Sequence, residues 1–243
     1  MSALCSHLTG DHARRSKALY SSNFKDEVSP MADDFLEHLR LWIRSACAEW
    51  GFKEPSEDYY VGVNGRLPVG LRTLLARGLA EGLIVTEGYQ FRLKGLASHK
   101  GPYQWFSNRP WLAGPHPNWE YYVQAAEYVR LHRVAAALGL TLAFEDVAMD
   151  LALYRGNTLI VCVEVKVEAE KLHDLIKDVR KYEPSIDLQA PDRGNDPLRK
   201  AKYIVRGRPQ CFSGVAIGAR LEYRVDYPEG EAFRLAEDVI PWA

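Results

Sequence analysis

The chain has 243 residues, 47% hydrophobic and 26% charged, with 31 Lys and Arg against 32 Asp and Glu. That length suits one large domain or two modest ones, and the composition excludes wholesale disorder. A net charge of −1 excludes a global basic field, so nucleic-acid contact must rest on local patches.

Residues 1–30 are polar without sustained periodicity and read as a loose arm. Phe35, Leu39, Ile43 and Cys47 recur at helical spacing, which predicts an amphipathic helix over 32–50, stopped by Gly51. Residues 52–58, with Pro55, read as a loop. A second helix is expected over 67–83, with Pro68 in its first turn and Leu71, Leu74, Leu75, Leu79 and Leu83 as its stripe. Residues 83–93 then carry a hairpin signal around Glu87–Gly88. Helices followed by a two-stranded wing resemble a winged helix-turn-helix, so 31–100 is expected to be a small winged-helix-like domain. Arg66, Arg72, Arg77, Arg92, Lys94 and Lys100 scatter positive charge over it. That pattern suits DNA contact or a protein–protein module.

Residues 101–117 hold Trp105, Phe106 and Trp111 among four prolines, and read as a linker that packs on one or both domains. The pattern changes at Asn118, a candidate N-cap. Residues 119–138 predict one long helix, 141–154 one or two strands, 155–157 a turn and 158–167 a β-branched strand. Helix follows over 168–182, loop over 183–197, a short basic helix over 198–205, and strands over 211–217 and 221–227. The segment Val239-Ile240-Pro241-Trp242 is expected to pack on the domain. This order implies an α/β or α+β domain with a mixed sheet over 118–243.

The cysteines (Cys5, Cys47, Cys162 and Cys211) form no CxxC pair, and the histidines are scattered, which argues against a zinc site or a disulfide framework. No apolar run approaches the roughly 20 residues a bilayer span needs, and the N-terminus lacks a signal-peptide core. A cytoplasmic protein without a membrane partner is therefore expected.

Strand 158–167 carries the chemistry. Alternation places Leu159, Val161, Val163, Val165 and Val167 on one face and Ile160, Cys162, Glu164 and Lys166 on the other. A carboxylate and an ammonium on one face of a greasy strand are costly unless paired or bound to an ion. Asp150 lies on the preceding strand. If Tyr154 pairs with Thr158, Asp150 stands opposite Cys162, a diagonal step from Glu164. A two-residue loop would turn it away, so the loop must be odd or a bulge must correct it.

Asp150, thirteen residues, then Glu164-Val165-Lys166 resembles the PD-(D/E)xK, or restriction-endonuclease-like, nuclease superfamily. The resemblance covers roughly 118–227 and includes the order of elements: helix, hairpin carrying the acid and the ExK, then helix and strands. Met149 replaces the proline of the family name. The resemblance implies a restriction-endonuclease-like mixed sheet flanked by helices. It also implies a divalent-metal phosphodiesterase using Mg²⁺ or Mn²⁺, with Asp150, Glu164 and the Val165 carbonyl as ligands and Lys166 as catalytic base or transition-state stabiliser. Many members add a glutamate from the first helix. The Trp119-Glu120-Tyr121-Tyr122-Val123 string resembles that helix in nucleases of some prokaryotic defence effectors, which favours Glu120, with Glu127 as the substitute. Arg193, Arg199, Lys200, Lys202, Arg206 and Arg208 form a basic run suited to phosphate contact or to a solvated helix face. The expected activity is a DNA endonuclease, in preference to RNA, of a defence, restriction or mobile-element system, and a homodimer is plausible. The alternative is a catalytically degenerate nuclease core serving as a DNA-binding or assembly module.

Overall fold

The computed structural model describes residues 29–95, 101–109, 114–194 and 196–237, with side chains from residue 35 onward. The arm up to residue 28, Lys100, Pro110, Trp111 and the 239–242 segment lie outside the described residues.

Helix α1 (Ser29–Trp50) buries Phe35, Leu39, Trp42, Ile43 and Cys47, the stripe its spacing predicts. Helix α2 (Glu57–Arg66) begins in the last two residues of the expected 52–58 loop and fills a stretch, 59–66, to which the sequence pattern assigned no element. Gly62, Gly65 and weak amphipathicity hide it; it is held from outside by burial of Tyr60 and Val63. Helix α3 (Val69–Ala80) ends three residues earlier than expected, and Gly82 follows at φ +65°. Its Gly78 permits a close crossing, since a Cβ there would lie 2.5 Å from Val129 Cγ2. Strands β1 (Ile84–Glu87) and β2 (Gln90–Leu93) form the expected hairpin, but the turn residues are Gly88 and Tyr89. Strand β3 (Tyr103–Gln104) joins β2 to make a three-stranded sheet.

The segment over 101–117 does more than connect. It also forms β4 (Phe106–Ser107) paired with β5 (His116–Pro117). Trp105 is fully buried, stacked on Phe91 at 3.9 Å and Trp42 at 4.9 Å, with Tyr122 at 4.8 Å. Residues from both halves of the chain therefore share one hydrophobic core, running from Phe35 to Val215. Asn118 precedes the next helix, but its side chain caps nothing and instead donates to the Gln104 carbonyl at 2.9 Å.

Helix α4 (Trp119–Leu138) ends at Gly139, in the left-handed conformation at φ +63°. Strands β6 (Thr141–Asp146), β7 (Met149–Arg155) and β8 (Thr158–Val165) follow as an antiparallel meander. Helices α5 (Ala169–Arg180) and α6 (Pro197–Gly207) cross over to β9 (Cys211–Ala216), which lies parallel to β8. Strands β10 (Ala219–Asp226) and β11 (Arg234–Ala236) complete a six-stranded mixed sheet in the order β11-β10-β9-β8-β7-β6. The fold is thus mixed α and β, as expected; β11 had no signal of its own in the sequence. Leu151, Val161, Val163 and Val165 belong to the core shared with α4, while Cys162 and Phe212 pack with α5 and α6. Among the described residues no helix is long and apolar enough to cross a membrane.

The β7–β8 register meets the sequence demand by its second route. The loop is the two-residue Gly156–Asn157, with Arg155 opposite Thr158, not Tyr154. A bulge then shifts the pairing from Tyr154↔Leu159 to Leu153↔Val161, leaving Ile160 as the extra residue. Leu159 and Ile160 consequently exchange the faces that plain alternation assigns them: Ile160 joins the α4 core and Leu159 packs with Ala143 and Ala152. Since Leu151 pairs with Val163, the next step sets Asp150 beside Glu164 rather than opposite Cys162.

Candidate active site

Strand β8 lies between β7 and β9: it pairs with β7 as far as Val163, and with β9 through Glu164 and Val165, which that ladder positions. One residue beyond it, Lys166 N donates to the Val215 carbonyl at 2.8 Å and carries the parallel pattern onward. The side chains that follow in sequence meet those of α4 and α6 around this strand end.

Asp150, near the start of β7, accepts the Val165 N–H at 2.5 Å on Oδ2 and Gln124 Nε2 at 2.8 Å on Oδ1. Gln124 is buried one turn after Glu120 on α4. Glu164 is 1% exposed; its Oε1 accepts Lys166 Nζ at 2.8 Å and its Oε2 accepts Lys200 Nζ at 2.6 Å. Lys200 comes from α6, is equally buried, and also donates to the Ala148 carbonyl at 3.0 Å. Lys166 Nζ reaches Glu120 Oε1 at 2.8 Å and the Val165 carbonyl at 2.7 Å. The result is an alternating chain, Lys200–Glu164–Lys166–Glu120, running from the protein interior to the surface. Alternation of this kind is what makes buried charge tolerable.

Asp150 has amide partners where Glu164 has ammonium partners. Its carboxyl keeps an edge on the adjoining cleft but is otherwise surrounded by protein. Burial, and then the Glu164 carboxylate, push its pKa well above the usual carboxylate range, against Lys166, the Val165 N–H and Lys200. Burial alone would lower the Lys166 pKa, but Glu164, Glu120 and Asp150 outweigh it and hold the group as a firm ammonium. The Gln124 Oε1 atom is buried without a hydrogen-bond partner.

A raised carboxyl beside an orphaned amide oxygen is an arrangement that a hard cation would relieve. Asp150, Glu164 and the Val165 carbonyl offer the oxygen donors that Mg²⁺ or Mn²⁺ requires. Both Glu164 oxygens are already matched by ammonium groups, so Glu164 can join such a site only as Lys166 or Lys200 gives one up. Among the described residues no group of three or more His, Cys, Asp or Glu side chains lies close enough to hold a metal ion. The site opens on a cleft of about 480 Å³, lined by Glu120, Gln124, Asp150 and Lys166 together with Arg109, His116 and Trp119.

Of the two helix acids, Glu120 meets Lys166 and Glu127 does not. Two turns along α4, about 10 Å by helix rise, Glu127 is buried against Arg130 at 2.7 Å and Arg220. The basic run divides. Lys200 and Lys202 are each 3% exposed, so neither is the surface phosphate contact anticipated for it. Lys202 is drawn inward by Asp192 at 2.8 Å and the Ala190 carbonyl, as Lys200 is by Glu164. Arg193, Arg206 and Arg208 remain exposed and Arg199 is half-buried. Arg199 donates to the Val147 carbonyl at 2.6 Å, Arg206 to the Leu188 carbonyl at 3.1 Å, and Arg208 lies 4.0 Å over the Tyr227 ring.

Sequence reasoning did not place Lys200, Gln124, Arg109 or His116 at this site. The signal for Lys200 was its position, four residues before Ile204 on the apolar stripe of α6. The signal for Gln124 was its spacing of four from Glu120. Arg109 and His116 had none, because nothing local brings the 101–117 segment to the β8 end.

Comparison of the chain with protein-family models, with curated proteins and with solved structures gives no match.

Proposed function

We propose that this chain is a divalent-metal-dependent phosphodiesterase acting on nucleic acid: a DNA endonuclease of restriction-endonuclease-like architecture, preceded by a winged-helix-like unit. The observation that carries this reading is the meeting of Asp150, Glu164, Lys166 and Glu120 at one strand end, on an open cleft. The element order supports it: helix α4, the β7–β8 hairpin bearing the acids and the lysine, then helices and a parallel strand. Such sites suit phosphodiester hydrolysis because hard oxygens hold the ion while leaving room for water and phosphate. The bound ion would polarise the phosphoryl oxygen and activate water. Lys166, oriented by Glu120 and Glu164, offsets negative charge developing on the phosphoryl group. Asp150 and Glu164 provide the anionic oxygens, and Gln124 positions Asp150.

The test is cleavage of plasmid DNA and of RNA with Mg²⁺ or Mn²⁺, comparing wild type with Lys166→Ala and Asp150→Asn. We expect metal-dependent cleavage by wild type and a loss of at least about 100-fold in either variant. Equal cleavage by wild type and Lys166→Ala would overturn the assignment.

One observation favours a second reading, a catalytically degenerate core that binds DNA or assembles with partners. Lys200 already supplies a buried positive charge to Glu164, which lessens the need for a cation there. Tight DNA binding with no cleavage of any substrate would support that reading.

A further inference from the structure

We propose that the same cleft contains a separate phosphate-binding subsite, formed by Arg66, Arg109 and His116, that grips a backbone phosphate flanking the one to be cut. The inference builds on the nuclease reading and extends it to the residues that hold the strand.

The lining of the cleft is of two kinds. Glu120, Gln124, Asp150 and Lys166 belong to the acid and lysine cluster, and Arg109 and His116, from the 101–117 segment, add basic side chains. Arg66, at the end of α2, borders the cleft: its guanidinium lies 4.5 Å over the ring of Trp119, which lines it. Burial lowers the His116 pKa, and Arg109 and then Arg66 lower it further, so both guanidinium groups act on that imidazole. Arg66 and Arg109 are exposed, and among the described residues neither forms an ion pair with an acid. Contrast Arg130, Arg220 and Arg40, each matched to a glutamate.

Two guanidinium groups at one cleft edge, neither paired with a carboxylate, repel each other, and an anion between them reverses that cost. Phosphate is the anion whose geometry suits paired guanidinium donors, and a neutral His116 can donate one more hydrogen bond. The cleft's size, about 480 Å³, lies in the range of small-ligand sites, which suits a nucleotide or two of the strand to be cut. Phosphate contacts of this kind set register without reading sequence. The N-terminal unit would thus act on substrate through the edge where α2 and the 101–117 segment border the acids.

The test measures binding without catalysis. A fluorescein-labelled oligothymidylate of about eight nucleotides is titrated in EDTA at several salt concentrations, with anisotropy as readout. The proteins are wild type, Arg66→Ala/Arg109→Ala, Arg66→Lys/Arg109→Lys, and the control Arg193→Ala/Arg208→Ala, with circular dichroism checking the fold. We expect the Arg66/Arg109 alanine pair to lose at least tenfold in affinity and to flatten the log–log salt slope by about 0.7, the value for one single-strand phosphate contact. The lysine pair should recover part of both. Unchanged affinity and slope in the alanine pair, an equal loss in the control pair, or no binding by wild type would each overturn the subsite. The nuclease reading stands or falls separately. Strand binding through Arg66 and Arg109 by a chain that cleaves nothing would keep this inference and remove that one. Metal-dependent cleavage unaffected by the Arg pair would do the reverse.

Discussion

Asp150 and Glu164 are neighbours across two strands, yet the protein treats them oppositely. Each oxygen of Glu164 has an ammonium within 2.8 Å, whereas those of Asp150 have only amide donors. The raised pKa of Asp150 has a definite consequence for the metal-free protein. A group whose folded pKa lies above its unfolded value adds stability below the unfolded pKa, near 4 for Asp, and loses it as pH rises through the folded pKa. Asp150→Asn removes that loss. We expect it to match wild type in acid and to exceed it by about 1 kcal/mol at neutral pH, the scale of typical stabilising substitutions. Urea unfolding from pH 4 to pH 8 measures this, and a gap that narrows as pH rises would contradict the account of Asp150. Under the nuclease reading, Mn²⁺ should raise the thermal midpoint of wild type and leave the asparagine variant unmoved.

At the scale of elements, the β6–β7 turn carries strain that a neighbouring contact exploits. Val147 sits at φ +51° and is 68% exposed, an unfavourable conformation for a β-branched residue with no burial in return. Its carbonyl and that of Ala148 nevertheless accept Arg199 and Lys200, which fasten the turn to α6 and hold Lys200 against Glu164. Val147→Gly keeps both carbonyls and relieves a left-handed penalty of about 1–2 kcal/mol, less about 0.5–1 kcal/mol of added unfolded-state freedom. We expect a net gain approaching 1 kcal/mol, read as a higher urea midpoint with an unchanged m-value. The β7–β8 bulge is a device of the same scale: it restores the register that the two-residue Gly156–Asn157 loop would otherwise spoil.

For the molecule as a whole, Trp105 matters most. Stacked between Trp42 and Phe91 and beside Tyr122, it joins α1, the small sheet and α4 in one core. A core shared in this way predicts a single unfolding transition for the described structure, seen alike by tryptophan fluorescence and far-ultraviolet dichroism. Trp105→Ala should cost about 3–5 kcal/mol, as truncation of a buried aromatic does. It should also weaken the hold of the 101–117 segment, including Arg109 and His116, on the cleft. Two separate transitions in wild type would show that the halves are energetically independent.

The sequence by itself determined the local features: the stripe of α1, the ends of α4, the β-branched strand, and the Glu164-x-Lys166 pair that follows from strand alternation. These depend on periodicity and on residues a few positions apart, which a chain displays directly. It also narrowed the Asp150 problem to a choice between an odd loop and a bulge, because side-chain direction in a strand has period two. Only the tertiary structure chose the bulge, since that choice depends on what Ile160 and Leu159 each pack against. Only tertiary structure turned Lys200 inward, drew Glu127 away from the site by pairing it with Arg220, and brought Arg109 and His116 to the cleft. In each case the deciding partner lies more than thirty residues away or on another element. Burial and charge pairing across such separations have no signature in local spacing.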